Sequence, residues 1–155
     1  MGYTIECTNP QCDYNELLYS GIGYFYPTVY LDTMRAARSG QGSEMHNQFL
    51  MEHPDGVINV ENKMYRCGCG NLCSEEALDM YVPKDSGNKP AAAKLEDKHC
   101  LFPDDIKKNY KLFMRYPHTC SLCNGKMKVT RKIDPETEKC PCCGSRLRVG
   151  MAMVD

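Results

Sequence analysis

The sequence predicts a small α+β protein stabilised by metal: two cysteine-anchored β modules, the first carrying a helical insertion. Three observations point there. Eleven of the 155 residues are cysteine, and they fall in four clusters. Apolar and polar residues alternate with a period of two around the C-terminal clusters, the pattern of strands. Between Cys12 and Cys67 lie 54 residues with helical spacing and helix start and stop signals, too many for a bare loop.

Composition narrows the class further. With 42% apolar and 25% charged residues, the chain is neither collagen-like nor disordered, and no apolar run is long enough to span a bilayer. Met1-Gly2-Tyr3-Thr4-Ile5-Glu6 has neither a basic stretch nor an apolar core, so no secretory signal is expected. Glu6 stands where a myristoylation motif needs Ser or Thr. A cytoplasmic chain keeps its thiols reduced, which disfavours disulfides and leaves metal as the reason for so many cysteines.

The clearest ligand turns are Cys120-Ser-Leu-Cys123 and Cys140-Pro-Cys-Cys143, sixteen residues apart. Two residues between thiolates make a tight turn that aims both sulfurs at one ion, and a second such turn completes a tetrahedron. Such turns favour positive φ after the second cysteine, which Gly adopts freely and Asn or Asp tolerates. Asp13, Gly70, Asn124 and Gly144 stand there after Cys12, Cys69, Cys123 and Cys143. Grouping by proximity along the chain puts Cys120, Cys123, Cys140 and Cys143 in one site. Cys7, Cys12, Cys67 and Cys69 then form a second, with irregular spacings of four and one residues. Cys73, Cys100 and Cys142 are left over and expected to be unligated; a third site of His99, Cys100 and Cys73 is the weaker alternative.

The Cys-Pro-x-Cys-Gly turn at Cys140 to Gly144 and the paired turns resemble the zinc-ribbon (rubredoxin-like) superfamily. The opening from Met1 to Tyr24 and the ending from Leu147 to Asp155 resemble small uncharacterised bacterial zinc-ribbon proteins. The resemblance implies two Zn2+ ions per chain, each clasped between turns at the ends of a small antiparallel sheet. It covers about half of the chain and is specific for metal, not for function.

Element by element, Leu17 to Tyr26 reads as strand and turn. Val29, Met34 and Ala37 lie at helical spacing from Pro27 to Gly40, and Ser43-Glu44 opens a second helix that stops at Pro54. Val57 to Arg66 leads back to Cys67 as a strand. Residues 83–99 are poor in large apolar side chains and read as a linker, with a short helix after Pro90. Tyr110, Leu112 and Met114 form a strand leading to Cys120. Met127, Val129 and Arg131 lie on one arm of the C-terminal ribbon, and Leu147, Val149, Met151 and Met153 on the other. The expected domains are thus 1–82, with the insertion at about 27–56, and 100–155.

Charge is uneven along the chain. Residues 1–82 hold 4 Lys/Arg against 11 Asp/Glu, and residues 83–155 hold 15 against 9. Lys126, Lys128, Arg131, Lys132, Arg146 and Arg148 can contact nucleic-acid phosphates, or they can offset the negative thiolate cages. Five tyrosines from Tyr14 to Tyr30 can form a stacking platform for bases but fit core and sheet faces better. His46 and His53 are expected to face solvent.

No catalytic constellation is found, and four cysteines close a zinc site to water. The leading expectation is a non-enzymatic adaptor with a protein partner. The alternatives are a nucleic-acid-binding protein and a thiol-redox or rubredoxin-like protein, iron being disfavoured by the few aromatics near the C-terminal site.

Overall fold

The structure is a computed structural model and describes residues 2–84 and 99–153. The chain divides into two units that interleave in sequence: unit 1 is Met1–Gly23, Asn62–Glu76 and Pro117–Asp155, and unit 2 is Tyr24–Glu61 and Ala77–Tyr116. The sequential division expected at 82 and 100 differs from this one, because segments far apart in the chain pair as strands. Most of the expected linker, with the helix after Pro90, lies outside the described residues.

Unit 1 contains two three-stranded antiparallel sheets of the same design. In the first, β1 (Gly2–Cys7) lies between β2 (Asn15–Tyr19) and β9 (Leu147–Ala152). In the second, β4 (Asn62–Arg66) lies between β5 (Leu72–Glu76) and β8 (Lys128–Thr130). Each is a local hairpin completed by a strand from the C-terminal segment. Ile5 and Leu18 are fully buried and pack with Met64, Leu72, Ile133 and Leu147; each such side chain contributes roughly 1.5–3 kcal/mol by leaving water. A smaller cluster joins Tyr65, Cys67, Cys120 and Met127.

This topology corrects one expectation. The alternating segments at 127–131 and 147–153 are strands in their central portions, but they are not two arms of one ribbon. Tyr65 in β4 faces Val129 in β8, and Ile5 in β1 faces Val149 in β9. Alternation marks a strand; it carries no information about the partner, and here Val129 and Met151 stay exposed.

Unit 2 places α1 (Tyr26–Arg38), α2 (Glu44–Glu52) and α3 (Pro103–Asn109) with a sheet in which β6 (Asp79–Pro83) lies between β3 (Val57–Asn59) and β7 (Tyr110–Met114). The first helix has Pro27 in its first turn, where the missing N–H costs nothing. It buries Tyr26, Tyr30, Met34 and Ala37 as one stripe. Ser43 caps α2, its side chain accepting from the His46 N–H at 3.2 Å. These residues pack with Phe49, Leu50, Val57, Ile58, Met80 and Ile106 into the core of the unit.

Two expectations change here. The strand at Tyr110–Met114 pairs with β6 rather than belonging to a ribbon. His46 is buried, not solvent-facing: its Nε2 lies 3.0 Å from the Leu78 carbonyl oxygen and its ring stacks on Tyr116. His53 is half-buried against Phe49 and Phe113.

Candidate metal centres

Both candidate centres lie in unit 1, and each forms where a hairpin of the N-terminal half meets a turn of the C-terminal segment. Cys7 ends β1 opposite Leu147, the first residue of β9, and the Cys140–Cys143 turn immediately precedes that strand. Cys7, Cys12, Cys140 and Cys143 therefore converge. By the same geometry Arg66 faces Lys128, which brings Cys67 and Cys69 against the Cys120–Cys123 turn. In each group all four sulfurs lie within 4.8 Å of one another.

These foursomes correct the grouping by chain proximity. The same eight cysteines are used, but each site takes one irregular turn and one Cys-x-x-Cys turn. Turn spacing specifies half a site; the β1–β9 and β4–β8 pairings specify which halves meet.

The donor sets fit a tetrahedral thiolate-bound ion. Cys7 and Cys143 sulfurs are 3.4 Å apart, and Cys12 and Cys140 3.7 Å. Cys67 and Cys123 are 3.3 Å apart, and Cys69 and Cys120 3.7 Å. A tetrahedron with Zn–S bonds of about 2.3 Å has S–S edges of about 3.8 Å, whereas a disulfide closes to about 2.05 Å. The observed spacings lie near the former.

Local backbone prepares the sulfurs for charge. Asn124, Gly70 and Gly144 have φ of 59°, 95° and 74°, as the turns require. Asp13 does not adopt positive φ among the described residues. The longer Cys7–Cys12 loop instead turns on Asn9, whose carbonyl accepts from the Cys12 N–H and whose side chain accepts from the Gln11 N–H. The Leu122 N–H donates to the Cys120 sulfur, and the Gly125 N–H to the Cys123 sulfur, both at 3.4 Å. The Ser145 hydroxyl, followed by its N–H, draws the Cys143 thiol down to about 6. Burial opposes ionisation of Cys120, yet donors led by the Asn71 amide bring it to about 6. Donors of this kind favour the thiolate, the form that ligates metal.

Sequence reasoning missed the residues behind the ligands. Asn71 is buried and donates to the Cys120 sulfur at 3.4 Å. Its carbonyl oxygen accepts from the Tyr14 hydroxyl at 3.1 Å, and that hydroxyl accepts from the Leu72 N–H at 3.3 Å. The Tyr14 carbonyl oxygen accepts from the Cys7 N–H at 2.9 Å, so Tyr14 touches the surroundings of both centres. His118 is buried, with Nδ1 2.7 Å from the Glu75 carboxylate and its ring 4.1 Å from that of Tyr65. No spacing rule announces the Asn71–Cys120, Tyr14–Asn71 and His118–Glu75 contacts, because each joins segments more than forty residues apart.

Cys73, Cys100 and Cys142 belong to neither foursome. Burial pushes the Cys73 thiol up to about 12 and that of Cys100 to about 11, which keeps both protonated. The basic C-terminal segment is also offset within its unit: the three segments of unit 1 hold nine Lys/Arg and nine Asp/Glu.

Fold and centres define a small α+β protein with two tetra-cysteine groups able to hold metal. No family model, no curated protein and no solved structure matches the chain.

Proposed function

We propose that the chain is a non-enzymatic interaction module whose two zinc-ribbon-like centres each carry a structural Zn2+. The observation that supports this most directly is the donor set: four cysteine sulfurs per group, converging from two turns. Four thiolates fill a tetrahedral zinc and leave no open position at which water can be activated. When bound, the ion supplies cross-linking rather than Lewis-acid chemistry.

Energetics favours the same reading. A structural zinc contributes roughly 10–16 kcal/mol, comparable to the whole net stability of a domain at about 5–15 kcal/mol. Unit 1 closes sheets between segments more than a hundred residues apart in sequence, such as β1 and β9. Each metal ties a hairpin to the distant strand that completes its sheet, offsetting the entropy of closing that loop.

The protein's residues have defined tasks in this scheme. The turn N–H groups and the Asn71 amide neutralise thiolate charge, and the Arg66–Glu138 pair holds the approach to Cys67 against the approach to Cys140. The equal numbers of cations and anions in unit 1 favour a protein partner over nucleic acid, whose binding depends on uncompensated positive charge.

Metal analysis with chelator titration tests the proposal. Two zincs per chain, a colourless protein, and loss of unit 1 structure on metal removal are expected. A chain that keeps its fold after complete chelation, or that carries iron with a visible absorbance band, overturns it.

A further inference from the structure

In unit 2 a groove of about 420 Å³ runs between α2 and the strand β7. Its walls are Met45 and Phe49 from the helix and Met80, Phe113 and Met114 from the sheet. β7 is the edge of its sheet: β6 pairs with one side, and among the described residues no strand pairs with the other. Unpaired edge N–H and C=O groups are a template for an added strand.

The edge is irregular at the groove. Met80 faces Met114, but Tyr81 faces Leu112, so Phe113 is the extra residue of a β-bulge. Neighbouring residues of a regular strand point to opposite faces; a bulge re-aims one of them. That is how Phe113 and Met114 both come to line one groove. Both are nearly half exposed, at 44% and 45%, although Phe113 stacks on Phe49 at 5.5 Å.

The rim is acidic. Glu44 and Glu52 stand at the two ends of α2, both exposed, and the last turn of that helix contains no basic residue. Among the described residues neither glutamate has a cationic partner. Eight helical steps separate them by about 12 Å, close to four residues of an extended strand at about 3.3 Å each. A strand that presents a side chain to the groove at one residue presents the next but one there as well. Where such a strand runs alongside α2, cations at i and i+4 meet the two glutamates, with an apolar side chain at i+2 between the methionines and Phe113.

We infer that this groove binds an extended peptide segment of another protein, added to the edge of β7, with two basic residues four apart flanking an apolar one. Backbone pairing with β7 gives attachment, and the alternate side chains give selectivity. Methionine walls adapt to different apolar side chains. The inference names the partner class for the interaction module proposed above and rests on that reading.

The test uses the full metal-loaded chain and a fluorescein-labelled nonapeptide with lysines four apart around a central leucine, read by fluorescence anisotropy. Saturable binding is expected. A peptide with glutamates in place of the lysines should bind about tenfold more weakly, and N-methylation of alternate backbone amides should abolish binding. The double variant Glu44→Lys/Glu52→Lys, at exposed positions, should reverse the preference between the two peptides while keeping its metal content and circular dichroism. Absence of binding, equal affinity for both peptides, an order unchanged in the variant, or self-association of the chain through β7 overturns the inference. Such a failure leaves the reading of the metal centres intact, because that is judged separately by chelator titration.

Discussion

Arg66 and Glu138 form a two-pronged ion pair that links the two candidate centres. One guanidinium nitrogen lies 2.6 Å from a carboxylate oxygen, and a second contacts the other oxygen. Arg66 immediately precedes Cys67 of one foursome, and Glu138 stands two residues before Cys140 of the other. Glu138 is buried while Arg66 keeps partial contact with water. Among the described residues Arg66 is the cation paired with this carboxylate and supplies most of its charge compensation.

Removing the cation should cost more than removing both charges. Arg66→Met leaves the buried Glu138 unpaired and should destabilise unit 1 by about 2–4 kcal/mol, somewhat below the figure for a fully buried pair. The double variant Arg66→Met/Glu138→Leu should recover a large part of that loss. Denaturant unfolding of the metal-loaded protein measures both, and equal losses in the two variants would refute the dependence described.

The foursomes make a prediction that grouping by chain proximity does not share. Cys123 and Cys143 belong to different centres in the structure. Cys143→Ser alone should leave one metal bound, and Cys123→Ser/Cys143→Ser should leave none. With both cysteines in a single site, the double variant would retain one metal. Cobalt substitution, which colours an intact thiolate site, distinguishes the outcomes, and Cys100→Ser should change nothing in the same assay.

Tyr14→Phe removes a hydroxyl that serves two partners. Asn71 loses its donor and the Leu72 N–H its acceptor, both at part-buried positions. Burial pushes the Tyr14 hydroxyl up to about 12, so it remains a donor throughout the working range. The expected loss is about 1–3 kcal/mol. Because Asn71 also donates to Cys120, the variant should lose metal more readily from that centre, measured by competition with a chromophoric chelator.

His46 gives unit 2 a pH dependence. Burial holds its imidazole below the ordinary value of 6.5, against the opposing effect of the Leu78 carbonyl. The unfolded chain then binds the proton more tightly than the folded one, so stability is complete above about pH 6.5 and declines as pH falls below it. The protection of α2 amides against exchange, corrected for the slower intrinsic exchange at low pH, should fall between pH 7.5 and 5.5. His46→Gln, which can still donate to Leu78, should flatten the change.

Much of the local structure was legible in the residues themselves. Pro27 and the helical spacing of Met34 and Ala37 announce α1, although Tyr26, read as the end of a strand and turn, proves to open the helix and with Tyr30 to lead its buried stripe. Ser43 announces the start of α2. Asn124, Gly70 and Gly144 announce the left-handed corners of their turns. These signals act between residues a few positions apart, where bond geometry and a single hydrogen bond decide the outcome. His46 shows the limit of such reasoning: its spacing on α2 is clear in the chain, but the carbonyl and ring that bury it come from Leu78 and Tyr116.

What the chain alone determined is the supply of cysteine turns, alternating strands and capped helices. Which turn meets which, and therefore which four sulfurs share a centre, was decided only in three dimensions. The reason is physical: a Cys-x-x-Cys turn has the same local geometry whichever partner it faces. Its partner is chosen by the pairing of β1 with β9 and of β4 with β8, contacts made across the length of the chain.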